Sequence, residues 1–237
     1  KKKGSIYDWY VSKQITNILI KKKQKKKAIE FLSKNYKKIN NPSAYTTYDF
    51  ADFLKSSEQF QKSIFQYSLV LESIDKNHYL YAGASEGRGV AFERSNQWEK
   101  AEIDLLNSLS VSPNQAYVIN YLAYSWIEKG MNIEKSLKML EKANKLKKND
   151  GYIMDSLGWA LFKLKKYKKA KEYLEIAVRI MPADPIVNDH FGDSLWMNNK
   201  NIQARYYWNY VLNLKKTEAK LKKDIKRKLI FGIDLKF

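Results

Sequence analysis

The sequence predicts an all-α solenoid of about six helix–turn–helix repeats, closed by a C-terminal capping helix. Three observations predict it. Small and apolar residues recur at a period near 34. Each period reads as two amphipathic helices. All four prolines (Pro42, Pro113, Pro182, Pro185) fall at period boundaries. None falls inside a proposed helix, where it would cost about 3 kcal/mol.

The period is clearest toward the C-terminus. Gly158 and Gly192 are 34 apart, as are Leu161 and Leu195, and Ala170 and Ala204. Leu122-Ala123 lies 35 before Leu157-Gly158, and Arg88-Gly89 lies 34 before that. Phe50-Ala51 precedes Arg88-Gly89 by 38, so that connection is longer. A weaker first copy aligns Thr16 and Ala28 with these small residues. The predicted repeats are 9–42, 44–77, 82–115, 116–150, 151–184 and 185–218, within one domain spanning 6–229.

Within 151–184, Met154, Leu157, Gly158 and Leu161 form one helical stripe. A break follows near Leu164–Lys166, and Tyr167, Ala170, Leu174 and Ala177 form a second stripe. Gly158 and Ala170 are small so that the two backbones approach closely. One such pair cannot bury its apolar stripe alone, whereas stacked copies can. The segment 217–229 carries Leu221, Ile225 and Leu229 on one side and lysines elsewhere. That pattern suits a cap that covers the last apolar face.

Composition narrows the function. The 237 residues contain no cysteine, which excludes disulfide frameworks, zinc fingers and thiol nucleophiles. The net charge is +19, which first suggests a polyanionic partner. Only five of the 44 basic residues are Arg, the residue that nucleic-acid readers favour. Residues 1–42 carry 13 basic and 2 acidic side chains, 43–115 carry 6 and 10, and 116–237 carry 25 and 13. Lys1–Lys3, Lys21–Lys27 and Lys215–Lys228 lack interleaved base-stacking aromatics and read as solvated faces. A basic protein that meets nucleic acid or anionic membrane through these ends is the alternative reading. No run of 18 apolar residues is present, and Asp8, Lys13 and Gln14 break any signal-like core in Ile6–Leu19. The chain begins with Lys, which suggests a fragment or mature form.

Catalysis is not expected. The two histidines, His78 and His190, fall in different repeats. HExxH and GxSxG are absent. Gly83, Gly87 and Gly89 fall inside a predicted helix without a preceding strand, so they form no phosphate loop. No cofactor, metal or small-molecule substrate is expected.

The unit 151–184, with Leu157-Gly158, Tyr167, Ala170, Ala177 and Pro182, resembles the tetratricopeptide repeat (TPR). Arg88 stands where that family expects an apolar residue. The resemblance implies a right-handed α-solenoid whose first helices line a concave surface. On that surface it places Glu86, Tyr117, Asn120, Tyr124, Tyr152, Asp155, Trp159, Phe162, Asp189, Asp193 and Trp196. This acidic and aromatic groove suits a partner-protein segment with basic and apolar side chains, bound by a non-catalytic scaffold. Glu86, Asn120, Asp155 and Asp189 argue against clamping a C-terminal carboxylate. The packing alternative is that Trp159 and Phe162 contact the next repeat, and that Asp189 caps its own helix. Self-association through an apolar terminal repeat is also expected to be open to this chain. The runs Asp150–Leu161 and Asn188–Trp196, with Ala204-Arg205 and Trp208, are similar to the C-terminal repeats of proteobacterial TPR proteins. That likeness implies a periplasmic or outer-membrane-anchored adaptor, with the cytoplasm as the alternative.

Overall fold

The computed structural model describes residues 6–233, and Lys1–Lys3 of the basic N-terminal run lie outside them. Among the described residues there are thirteen α-helices and no strand. None of the helices is long and apolar enough to cross a membrane. The chain divides into two compact units, Lys1–Pro113 and Asn114–Phe237.

The first unit holds three helix pairs: α1 (Ile6–Lys21) with α2 (Lys25–Tyr36), α3 (Ala44–Ser56) with α4 (Phe60–Ser73), and α5 (Tyr81–Arg94) with α6 (Trp98–Val111). The second holds α7 (Ala116–Glu128) with α8 (Ile133–Leu146), α9 (Gly151–Lys163) with α10 (Tyr167–Ile180), and α11 (Pro185–Met197) with α12 (Asn201–Asn213). A final helix, α13 (Ala219–Phe231), packs on α12. It runs slightly beyond the expected 217–229.

Each pair closes at two small positions. Ala28, Ser63, Ala101, Ser136, Ala170 and Ala204 on the second helices are fully buried. Opposite Ala170, a Cβ on Gly158 would lie 2.5 Å from Leu174 Cγ and 3.1 Å from the Ala170 carbonyl oxygen. No side chain fits there without parting the helices. A Cβ on Gly192 would lie 2.6 Å from the Trp208 indole nitrogen, so that glycine makes room for the ring. In the first unit, Ser63 donates to the Ala51 carbonyl at 2.8 Å and joins its pair by a hydrogen bond.

The turns repeat as faithfully as the helices. Lys23, Glu58, Asn96, Gly130, Lys165 and Asn199 all have φ between 58° and 69°. Each sits just after a first helix, where a left-handed residue redirects the last helical N–H groups. Asp150 and Asp184 cap α9 and α11, each accepting from the second and third backbone N–H of its helix. Pro185 follows at the first helical position, where its missing N–H costs nothing. The cap of α11 is therefore Asp184, which leaves Asp189 for another role.

Arg88 does not disturb its repeat. It donates to both carboxylate oxygens of Asp104, at 2.7 and 2.9 Å, and to Ser68 at 3.1 Å. Asp104 on α6 is 2% exposed. A bidentate ion pair replaces the apolar contact of the other repeats.

Candidate functional site

In the second unit the first helices touch in series, α7 against α9 and α9 against α11. Seven of the eleven expected groove residues belong to a layered network on these helices; Asn120, Tyr117 and Tyr152 stand beside it, and Glu86 belongs to the first unit.

The centre is an aromatic stack. The Trp159 ring lies 3.9 Å from that of His190 at 10° and 4.8 Å from that of Phe162 at 12°. Tyr124 approaches His190 at 6.4 Å. The indole N–H of Trp159 donates to Glu128 at 2.7 Å. Nδ1 of His190 meets both oxygens of Asp155, at 3.0 and 3.1 Å. Burial alone would depress the imidazole. The charge and hydrogen bond of Asp155, helped by Asp189 and Asp193, outweigh it and raise the pKa above the usual histidine value. His190 thus joins α11 to α9 through Asp155, which favours its protonated form. Burial, with Glu128, Asp155, Asp184 and Asp189 nearby, pushes the Tyr124 hydroxyl up and keeps it neutral.

The next layer has the same logic with a different cation. Lys228 of α13 places Nζ 2.7 Å from Asp189 Oδ1, 2.7 Å from Asp193 Oδ1 and 2.8 Å from Asp193 Oδ2. Trp208 donates to Asp193 Oδ1 at 3.0 Å. Burial, reinforced by Asp189, lifts the Asp193 carboxyl to about 6, against the opposing pull of Lys228 and His190. Burial lowers the Lys228 ammonium, but its two carboxylates more than compensate and it stays charged. Trp196 lies 5.4 Å from Trp208, with Arg205 over its ring and Gly232 against its face.

The expectation of an open acidic groove is therefore corrected at five positions. Asp155, Trp159, Phe162, Asp189 and Asp193 are each at most 9% exposed. They are buried because the following helix supplies a ring or a cation to each layer. Phase on a single helix shows which residues face that side, but not what the next repeat lays over them. What remains open is the tyrosine edge. Tyr117 is 51% and Tyr152 57% exposed. The Tyr117 hydroxyl donates to Asp150 at 3.1 Å, with the Lys147 ammonium 3.9 Å from its ring. Tyr124 and Asn120 are half-buried. Asn120 Oδ1 is buried without a protein partner, at the repeat position of Asp155 and Asp189.

Glu86 belongs to the first unit. It is half-buried on α5, where burial raises its carboxyl, Lys55 lowers it and Asp52 raises it. Near it, the Tyr67 hydroxyl donates to Asp52 at 3.2 Å. On α1 and α3, Asp49 accepts from the Trp9 indole at 2.8 Å and from Lys13 at 2.7 Å. An indole–carboxylate bond between consecutive first helices thus recurs in both units.

Reasoning from the sequence missed Lys228, Glu128 and Asp104. Arg88 at an apolar position was the signal for Asp104. Lys228 carried no such signal among its neighbouring lysines.

The arrangement links consecutive first helices, His190 to Asp155 and Trp159 to Glu128, and ties α13 to α11 through Lys228. Ser156 and Ser194, the nearest hydroxyls in sequence, donate to the Tyr152 and Phe191 carbonyls. Among the described residues no group of three or more His, Asp or Glu could hold a metal ion.

The chain is 29% identical over 106 residues to the TPR repeat-containing protein PA4667 of Pseudomonas aeruginosa. The match spans 45% of this chain and 18% of that much longer relative. A tetratricopeptide repeat protein from Parabacteroides merdae superposes with a TM-score of 0.71 at 16% identity, over 94% of this chain and 88% of that one. YrrB, described as a TPR protein with an unusual peptide-binding site, superposes with a TM-score of 0.58 at 16% identity, over 78% and 92%. The tetratricopeptide repeat family pattern matches residues 11–217. With its helix pairs, small-residue contacts and left-handed turns, this chain belongs to the tetratricopeptide repeat family.

Proposed function

We propose that the chain is a non-catalytic scaffold whose second unit takes a segment of a partner protein along the face of α7, α9 and α11. One observation carries the reading: exposed tyrosines stand on an acidic face, above a floor that is already fixed. Tyr117 and Tyr152 are more than half exposed, Asp150 lies beside Tyr117, and Glu128 stands exposed near Tyr124 at the other end of α7. Tyrosine offers large contact area at low entropic cost. The stack of Phe162, Trp159 and His190 beneath is rigid, so little ordering is needed on binding. A segment carrying a basic residue for these carboxylates and an apolar one for the tyrosines fits the edge. The family, and the peptide-binding site described for YrrB, support a protein partner.

Attachment to membrane through α13 is disfavoured. Its Ile225 is buried, and Lys228 and Gly232 are turned into the protein. The Ile225–Lys228 side is already used within the protein, which leaves Ile230 and Phe231 as the exposed large apolar residues of α13.

Panning a random peptide display library against the full chain tests the proposal. Enriched peptides should combine Lys or Arg with an aromatic or aliphatic residue. Their binding should fall about tenfold or more in Tyr117→Ala/Tyr152→Ala. Unchanged binding by a still-folded double variant would contradict it.

A further inference from the structure

The C-terminal helix occupies the part of the face that the sequence assigned to a partner. Asp189, Asp193 and Trp196, all expected groove residues, are covered by α13. Its Lys228 spends its ammonium on three carboxylate oxygens within 2.8 Å, and the side chain is 13% exposed. An ammonium carries three donors, so this cation is satisfied by the notch.

The notch reads its occupant at three points. Ile225, three residues before Lys228, is fully buried. Lys228 enters between the two carboxylates. Gly232, four residues after it, lies against the Trp196 ring with φ +72°, and a Cβ there would collide with the indole. The pattern is an apolar residue, a lysine three positions later and a glycine four positions after that, on a helix that ends at the glycine.

The grip on α13 is narrow: it rests on α12, where Arg205 donates to the Leu229 carbonyl. Ile225 is the one buried residue within the helix, while Lys220, Lys222, Lys223, Lys226 and Arg227 face solvent. Ile230 and Phe231 are 69% and 76% exposed. By contrast α11, which brings His190 to Asp155, packs against α9, α10 and α12. An empty notch is also unfavourable, because two adjacent buried carboxylates would lose their shared cation. Departure of α13 is therefore favoured only when another cation replaces Lys228.

We propose that α13 is an intramolecular occupant of a lysine-accepting notch on α11, and that a partner's lysine-bearing amphipathic helix of the same pattern binds by exchanging with it. This rests on the reading of the α7, α9 and α11 face as a partner surface, and adds both the chemistry of the partner and a cover that gates it.

The probe is a fluorescent synthetic peptide of residues 217–233, titrated into the full-length chain by anisotropy. The wild-type chain should capture it weakly, since its notch is filled. Lys228→Met should strengthen capture about tenfold or more, because the competent state becomes populated. Gly232→Leu in the chain should do the same by prying α13 from Trp196 with the carboxylates intact, which covers a folding failure of the first variant. Adding Asp189→Asn/Asp193→Asn to either should abolish the gain, and a peptide with Lys228→Met should not be captured. Capture by both opened variants no stronger than by wild type overturns the proposal. So does capture that survives loss of the two carboxylates. Tyr117→Ala/Tyr152→Ala should leave this capture unchanged, so failure at the tyrosine edge and failure at the notch are read separately.

Discussion

Asp155 and Asp189 stand 34 residues apart at the same place in consecutive repeats, and each holds a basic side chain from two helices further on. The cations differ. Asp155 holds an imidazole that is also stacked on Trp159 and carried by a helix packed against three others. Asp189, with Asp193, holds an ammonium on the terminal helix, which rests on α12 and touches α11 through a few side chains. The first arrangement is a joint between repeats. The second uses the same carboxylate position as a socket. One repeat position thus supports either permanent cohesion or exchange, according to how firmly the cation's own helix is held.

The largest way to break the comparison is at the joint. His190→Ala removes the cation from buried Asp155 and empties the ring space against Trp159. Loss of one partner of a buried pair costs about 3–5 kcal/mol. Urea unfolding of the full chain should show that loss in the transition of the second unit. A loss below about 1 kcal/mol would mean that the pair contributes little to cohesion.

A titration separates the two layers by chemistry. His190 holds its proton above the ordinary 6.5, and Asp193 is raised from 3.8 to about 6. Both folded values exceed the unfolded ones, so both contributions are full in acid and are lost as pH rises through the folded values. Stability of the second unit should therefore fall from about pH 4 to pH 6 through Asp193, and fall further above pH 6.5 through His190. His190→Gln should flatten the part of the fall above the ordinary histidine range. Lys228, also raised, contributes throughout this window. Stability that rises with pH over the same range would contradict the assignment.

The smallest effect sets the baseline. Arg179 and Glu175 form an exposed pair at 2.7 Å on α10, with side chains 74% and 40% exposed. Arg179→Ala should change stability by no more than about 0.5 kcal/mol, because water screens such a pair. The contrast with His190 separates a surface contact from a joint.

Much of the fold was legible in the sequence, because its rules are local. Gly158 against Leu174 and Ala170, Pro185 opening α11 and the 34-residue spacing all act within a repeat or its boundary. The turns were less legible. Lys23, Glu58 and Lys165 take the left-handed conformation without being Gly or Asn, so their residue type does not announce the bend. The site was half legible. Phase placed Asp155, Asp189 and Asp193 on the first-helix face. Their partners lie 35 to 39 residues on, on later helices. No local pattern encodes that reach, and one lysine among many gives no hint of burial. The opening charge of +19 takes on a sharper meaning from this. Most of it is solvated, while one lysine of the basic tail completes the acidic face.

Native-state hydrogen exchange on the full-length chain, wild type against Lys228→Met, tests most directly the distinction between joint and socket. The account predicts that amides of α13 lose protection while those of α9 and α11 keep theirs. Loss of protection in α11 together with α13, or no change in α13, would contradict it.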